Sequence, residues 1–176
     1  ANSTFLLAVQ MIRLLQYTNE LPPMLIVGVG YDDEDPLNIV NRRLQEFTPT
    51  VNANYKNIWR SQLALSSDGG DASKLLRFFE DELKPFIASS YAIDQDNSTL
   101  VGDSLGGLFT LYALLKKPAM FNRYVIGSPV IFRDKDLMWD LEEHCASEHQ
   151  DLNAHVFIGV GGEEDNKPYH FPEEFR

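Results

Sequence analysis

The chain has 176 residues, 44% of them hydrophobic and 23% charged, with a formal net charge of −11. That length suffices for one domain with a real core. So acidic a balance argues against nucleic acid, whose phosphates need a basic face, and against adsorption to anionic membranes. The one cysteine, Cys145, excludes an intrachain disulfide, and no apolar run approaches the ~20 residues of a membrane span.

The first residues, ANSTFLLAVQ, have no basic flank and do not read as a signal peptide. The chain does not begin with Met and reads as a processed product or a fragment. Asn2, Ser3 and Thr4 are capping types, and Phe5, Val9, Ile12 and Leu15 recur at helical spacing, which predicts a helix over 4–17. Leu21-Pro22-Pro23 ends it. The continuous apolar run at 24–29, MLIVGV, predicts a strand buried on both faces of a parallel sheet. The acidic stretch Asp32-Asp33-Glu34-Asp35 lacks the alternating ligands, central glycine and closing glutamate of an EF-hand and reads as a solvated turn. Gly28-x-Gly30 has no third glycine opening a helix, so it is no dinucleotide fingerprint.

From 36 to 70 the pattern is weak. Pro49, Asn52, Asn54, Ser66, Ser67, Gly69 and Gly70 suggest a long irregular connection. Within it, Arg42-Arg43 suits pairing with acids such as Glu46. Asp71 or Ser73 then opens a helix with Leu75, Leu76, Phe79, Leu83 and Ile87 on one face and a bend at Pro85. Beyond it come a strand at 98–102, a helix at 105–116, a strand at 123–126, a helix at 136–149 and a strand at 155–160. Four strands alternating with helices predict an α/β fold, its parallel sheet covered on both faces. For Tyr55, Trp59, Phe132 and Trp139 the expectation is buried packing. No arrangement of Cys and His resembles a zinc site, and neither metal nor cofactor is expected.

Gly102-Asp103-Ser104-Leu105-Gly106 is a G-x-S-x-G sequence at a strand-to-helix junction. Such a turn exposes the serine hydroxyl at the end of the sheet, and the flanking glycines relieve crowding. The Leu105 N–H then points at the site as an oxyanion donor, and the helix N-terminus adds positive potential. A tight packing turn uses the same glycines, but the strand before and the long helix after favour a nucleophile. Gly107 suits helix–sheet packing. Asp103 is a poor base, because neighbours on such a turn point in different directions.

A triad on this fold runs Ser, acid, His in chain order. Glu163, Glu164 and Asp165 stand together after the last strand, at the end where open α/β sheets build sites; Glu164 is the first choice. His144 and His149 precede the acid on a charged helix, and His155 opens a strand at the end opposite the serine. His170 alone follows the acid, about five residues on, too soon for another strand to deliver it.

LPPMLIVGVGY at 21–31, RLQEFTPT at 43–50, GGDASKLLRFFEDELKPFI at 69–87, LVGDSLGGLFTLY at 100–112 and YVIGSPVIF at 124–132 carry a family resemblance. The chain resembles the α/β-hydrolase esterases that include enterobactin-type siderophore esterases, S-formylglutathione hydrolases, feruloyl esterases and mycolyltransferases. The nearest likeness is to siderophore-esterase-like serine hydrolases of bacteria. That resemblance implies a mainly parallel sheet flanked by helices, Ser104 as nucleophile, Leu105 as one oxyanion donor and Asn2 as a second. It also implies strands before residue 1 and a histidine-bearing segment after Arg176. The expectation is therefore a single, incomplete α/β-hydrolase domain over 1–176, weak or inactive by itself.

The function so implied is cleavage of a carboxylic ester through an acyl-enzyme, the substrate being a trilactone siderophore or another aromatic-acid ester. Residues 50–70 would form part of the pocket wall. A non-catalytic binding domain and an acyltransferase are the alternatives. The expected partner is a small-molecule ester, and the expected compartment the cytoplasm, with the periplasm as alternative. Nothing in the sequence sets an oligomeric state.

Overall fold

A computed structural model describes residues 2–52 and 65–164, with side chains from Phe5 onward. Expectations for Tyr55, Trp59, Asp165 and His170 lie outside those residues. The chain divides into two compact units, residues 1–39 and 40–176.

In the first unit, helix α1 runs Asn2–Tyr17, and the Gln16 side chain donates to the Pro22 carbonyl at 2.9 Å. Residues 24–29 form no strand. Met24, Leu25, Val27 and Val29 are 43–47% exposed, contrary to the doubly buried strand that their composition suggests. A strand exists through its ladder, and none of the described strands pairs with this run.

Helix α2, Pro36–Phe47, occupies the start of the stretch expected to be irregular. Its start signal is local: Asp35 Oδ1 accepts the Leu37 N–H at 2.8 Å, with Pro36 at the first helical position. Arg42 and Glu46 pair across one turn at 3.9 Å.

The second unit is built on three parallel strands in the order β1 (Thr99–Asp103), β2 (Arg123–Gly127), β3 (His155–Gly159). Their register aligns Thr99, Arg123 and His155 at one end and Asp103, Gly127 and Gly159 at the other. The connections are α5 (Leu105–Lys116) and α6 (Lys135–Glu148). Before the sheet come α3 (Ala72–Phe78), a π turn over Phe79–Leu83 and α4 (Lys84–Ser90). Across the π turn the Lys84 N–H reaches back five residues to the Phe79 carbonyl. The widening comes just before Pro85, which has no N–H and whose ring crowds the carbonyl four residues back.

These helices share one core. Ile126 and Tyr124 of β2 are fully buried, with Leu108 and Phe109 of α5, Leu75 and Leu76 of α3, and Met138 and Leu141 of α6. Phe79 packs edge-on against Phe109 and Phe121, with ring centres 5.5 and 6.5 Å apart. The opposite face differs from the two-sided covering expected. Val101 and Phe157, aligned through Val125, are 68% and 65% exposed. Trp139 is also exposed rather than packed.

A buried ion pair closes the other side of the core. Arg133 Nη1 lies 2.6 Å from Asp134 Oδ2, and both side chains are fully buried. Arg133 also donates to the Thr50 carbonyl at 3.1 Å and the Asp68 carbonyl at 2.8 Å. Asp134 accepts from the Thr50 N–H at 3.2 Å and from the Thr50 hydroxyl. Charges this deep are tolerated only when paired and hydrogen-bonded. Gly69, at φ +85°, passes against this pair: a Cβ there would sit 2.3 Å from Arg133 Nη2.

Helix α5 sits directly on the sheet through glycine. A Cβ on Gly102 would stand 2.1 Å from the Gly106 carbonyl oxygen, and one on Gly107 would stand 2.3 Å from that of Gly127. A Cβ on Gly106 meets nothing within 4 Å, so the expected crowding on both sides of Ser104 exists on one. Gly102→Ala should therefore cost about 3 kcal/mol, the upper end of overpacking penalties. Gly106→Ala should hold stability or raise it by up to about 1 kcal/mol, the helix-propensity gain. Urea denaturation of the two variants checks the contrast; equal losses would contradict it.

Candidate active site

Ser104 lies between β1 and α5 with φ +57° and ψ −117°. No L-residue adopts that conformation without strain. Three features hold it there. The Ser104 N–H donates to the Gly127 carbonyl at 3.0 Å, continuing the β1–β2 ladder one step past the strand. The Ser104 carbonyl accepts the Leu108 N–H at 3.0 Å, the first bond of α5. Gly102 lets α5 turn back over the strand at once. Ser104 occupies the N-cap position, yet its side chain makes no capping bond, so its hydroxyl is not spent on the helix.

The first N–H groups of a helix have no intrahelical acceptor. Leu105 opens α5, so its N–H stands beside Ser104 at the positive end of the helix. Asp103 points elsewhere: its carboxylate lies over Gly127, with Oδ1 2.6 Å from where a Cβ would be.

One strand over, the same construction recurs. Ser128 follows β2 as Ser104 follows β1, and it too has a positive φ, +35°. Its N–H donates to the Gly159 carbonyl at 2.7 Å. Its hydroxyl donates to Glu164 Oε1, and that same oxygen accepts the Gly161 N–H at 2.8 Å. The Glu164 N–H returns to the Gly161 carbonyl at 3.1 Å, closing the turn after β3. The Ser128 hydroxyl first, and the Gly161 amide second, hold the Glu164 carboxyl below its ordinary pKa.

Of the predicted site residues, Ser104, Leu105 and Glu164 all stand at the C-terminal end of the three strands. The sequence shows Ser128 only within YVIGSPVIF; no spacing rule links it to a glutamate 36 positions on. Asn2 opens α1 in the other unit, and its side chain lies outside those described. His155 starts β3, at the end opposite Ser104, as expected. His144 is exposed and within 3.5 Å of Glu148. Among the described residues no cluster of three His, Cys, Asp or Glu could hold a metal ion, and no helix is long and apolar enough to cross a membrane.

Comparison with known proteins gives this geometry a family. The sequence model for the family described as "Putative esterase" matches residues 8–175. The ferri-bacillibactin esterase BesA of Bacillus subtilis is 36% identical over 157 residues, covering 84% of this chain and 51% of that protein. The apo-salmochelin esterase of Escherichia coli O6:H1 is 29% identical over 126 residues, 72% of this chain and 38% of that protein. The chain thus spans about half, or less, of the length of these curated relatives. Among solved structures, the BES protein from Bacillus cereus superposes with a TM-score of 0.72 at 31% identity, covering 91% of this chain and 58% of the other. The siderophore hydrolase EstA from Aspergillus nidulans gives 0.75 at 22% identity, over 94% and 56%, a likeness of fold. The fold is that of the α/β-hydrolases, with helices packed on a parallel sheet.

The Glu164 bonds predict a titration. Because its folded pKa is depressed, the carboxylate stabilises its turn above the ordinary glutamate pKa, and that contribution is lost as pH falls through the folded value. Carboxyl-carbon NMR of Glu164 should show a midpoint below 4.5, rising in Ser128→Ala. An ordinary midpoint in the unaltered protein would contradict the arrangement.

Proposed function

Because the chain belongs to the "Putative esterase" family, we propose that it carries the nucleophile of a serine ester hydrolase. The observation behind this reading is the Ser104 backbone, φ +57° and ψ −117°, at a β-to-α turn whose serine hydroxyl caps nothing. A structural N-cap serine would bond a nearby helix N–H; this one is strained instead into the posture of a nucleophile elbow.

In the proposed reaction the base takes the hydroxyl proton as Ser104 Oγ attacks the ester carbonyl. The C=O electron pair moves to oxygen, and the oxyanion is met by the Leu105 N–H and the α5 N-terminus. Collapse breaks the ester C–O bond, and the departing alkoxide takes the proton from the base. Water then repeats the sequence on the acyl-enzyme, freeing the acid and restoring Ser104. Glu164, ionised and fixed by two donors, is the acid that orients the base and steadies its positive charge. The base is a histidine outside residues 2–52 and 65–164; within this chain the remaining candidate is His170.

The proposed substrate class is the ester linkage of a siderophore. Its support is the chemistry named in two relatives, one a ferri-bacillibactin esterase and the other an apo-salmochelin esterase.

The test is hydrolysis of a catecholate trilactone by the whole protein, followed by liquid chromatography. Ser104→Ala should lower kcat by at least about a thousandfold, the scale of losing a triad member. The melting temperature should hold. Turnover unchanged in Ser104→Ala would refute the assignment.

A further inference from the structure

We propose that Ser128 is a positioning residue for this site: its hydroxyl, on a left-handed backbone step one strand from the nucleophile, holds the Glu164 carboxylate where an imidazole can meet it. This rests on the reading of Ser104 as nucleophile and Glu164 as acid.

The two serines repeat one construction. Ser104 and Ser128 both leave their strands at the same level of the sheet, after the aligned pair Asp103 and Gly127. Each sends its N–H to the last residue of the next strand, Gly127 for one and Gly159 for the other. Their φ values are +57° and +35°, and the one other described non-glycine with positive φ is Asn19, two residues after α1. Left-handed backbone is ordinary for glycine or asparagine and costly for serine. A position needing only the turn would be met by glycine, as at Gly69 and Gly70. Serine at 128 keeps the strain and adds a hydroxyl.

That hydroxyl has one described acceptor, Glu164 Oε1, which it shares with the Gly161 N–H. Both bonds fall on the same oxygen. The carboxylate is thereby tied to the ends of two strands, β2 through Ser128 and β3 through Gly161, both bonds among the described residues leaving Oε2 as the oxygen to accept an imidazole N–H. Glu164 is itself exposed and its turn short; without Ser128 the Gly161 N–H alone restrains a side chain of three torsions. An acid that must orient a base has to be held. Persistent backbone strain at such a place marks a position fixed for something other than stability.

The proposal separates activity from stability, which a structural role does not. Ser128→Gly removes both hydroxyl and strain; Ser128→Ala removes the hydroxyl and keeps the strain. In the whole protein, both variants should lose about tenfold in kcat, the scale of one hydrogen bond to a charged group. KM should stay within about twofold, because the loss is confined to the reacting groups. The rate of fluorophosphonate labelling at Ser104 should fall in parallel. Melting temperature should hold or rise in Ser128→Gly and should not rise in Ser128→Ala. Glu164→Gln is the control for the underlying reading. If it is slow while both Ser128 variants label and turn over at the normal rate, Glu164 stands and Ser128 is refuted. If Glu164→Gln itself is unimpaired, the acid assignment falls and Ser128 with it. Activity that tracks melting temperature across the Ser128 variants would likewise overturn the proposal in favour of a structural role.

Discussion

The close approach of α5 to the sheet governs the rest of the second unit. Two carbonyl oxygens lie where side chains would otherwise be: that of Gly106 against Gly102, and that of Gly127 against Gly107. Helix and strands are thereby in backbone contact, nearer than any Cβ allows. Because the helix must begin at once and lie that close, the residue between strand and helix has no relaxed conformation open to it, and Ser104 takes a left-handed one. The same approach buries Leu108, Phe109, Tyr112 and Ala113 against β2 and α3. Burial of such side chains, worth about 2 kcal/mol for each large one, offsets the strain at the turn.

Two kinds of polar structure surround that seat. Arg133 and Asp134 form a fully buried pair whose bonds join residues 50–52 to 68 and the turn after β2. Its net worth to stability is small, since desolvation opposes the attraction, but breaking it leaves a buried charge. Ser128, half-buried, and Glu164, exposed, are the opposite case, joined at the surface rather than within the core. The first arrangement fixes the scaffold. The second sits where charge would move during a reaction, at the same end of the strands as Ser104. A parallel sheet gathers its functional groups this way, because every strand ends on the same side.

Much of this was legible in the residues, for local reasons. Ser104, Leu105 and the 105–116 helix follow from G-x-S-x-G after an apolar strand, and three of the four expected strands form with nearly the expected limits. What escaped was pairing. MLIVGV at 24–29 has the composition of a buried strand but no described ladder, and composition says nothing about partners. Likewise the Val101 and Phe157 face looks like core in sequence and is open. Helix α2 falls in a stretch that reads as irregular because of the Pro, Asn, Ser and Gly residues at 49–70, although Asp35-Pro36 announces it and Leu37, Val40, Leu44 and Phe47 recur at helical spacing. Gly106 was given a steric duty that only Gly102 carries. In the site, Glu164 is the first choice among three adjacent carboxylates; its bonds to Gly161 and to Ser128, the latter 36 positions away, are not legible in sequence.

The strained serine between β1 and α5 is proposed here as a nucleophile. Mass spectrometry of the whole protein after treatment with a fluorophosphonate tests it most directly. A single adduct on the peptide containing Ser104, absent from Ser104→Ala and slowed by a bound siderophore ester, is the predicted result. An unmodified protein, or an adduct on another serine with Ser104 untouched, would contradict it.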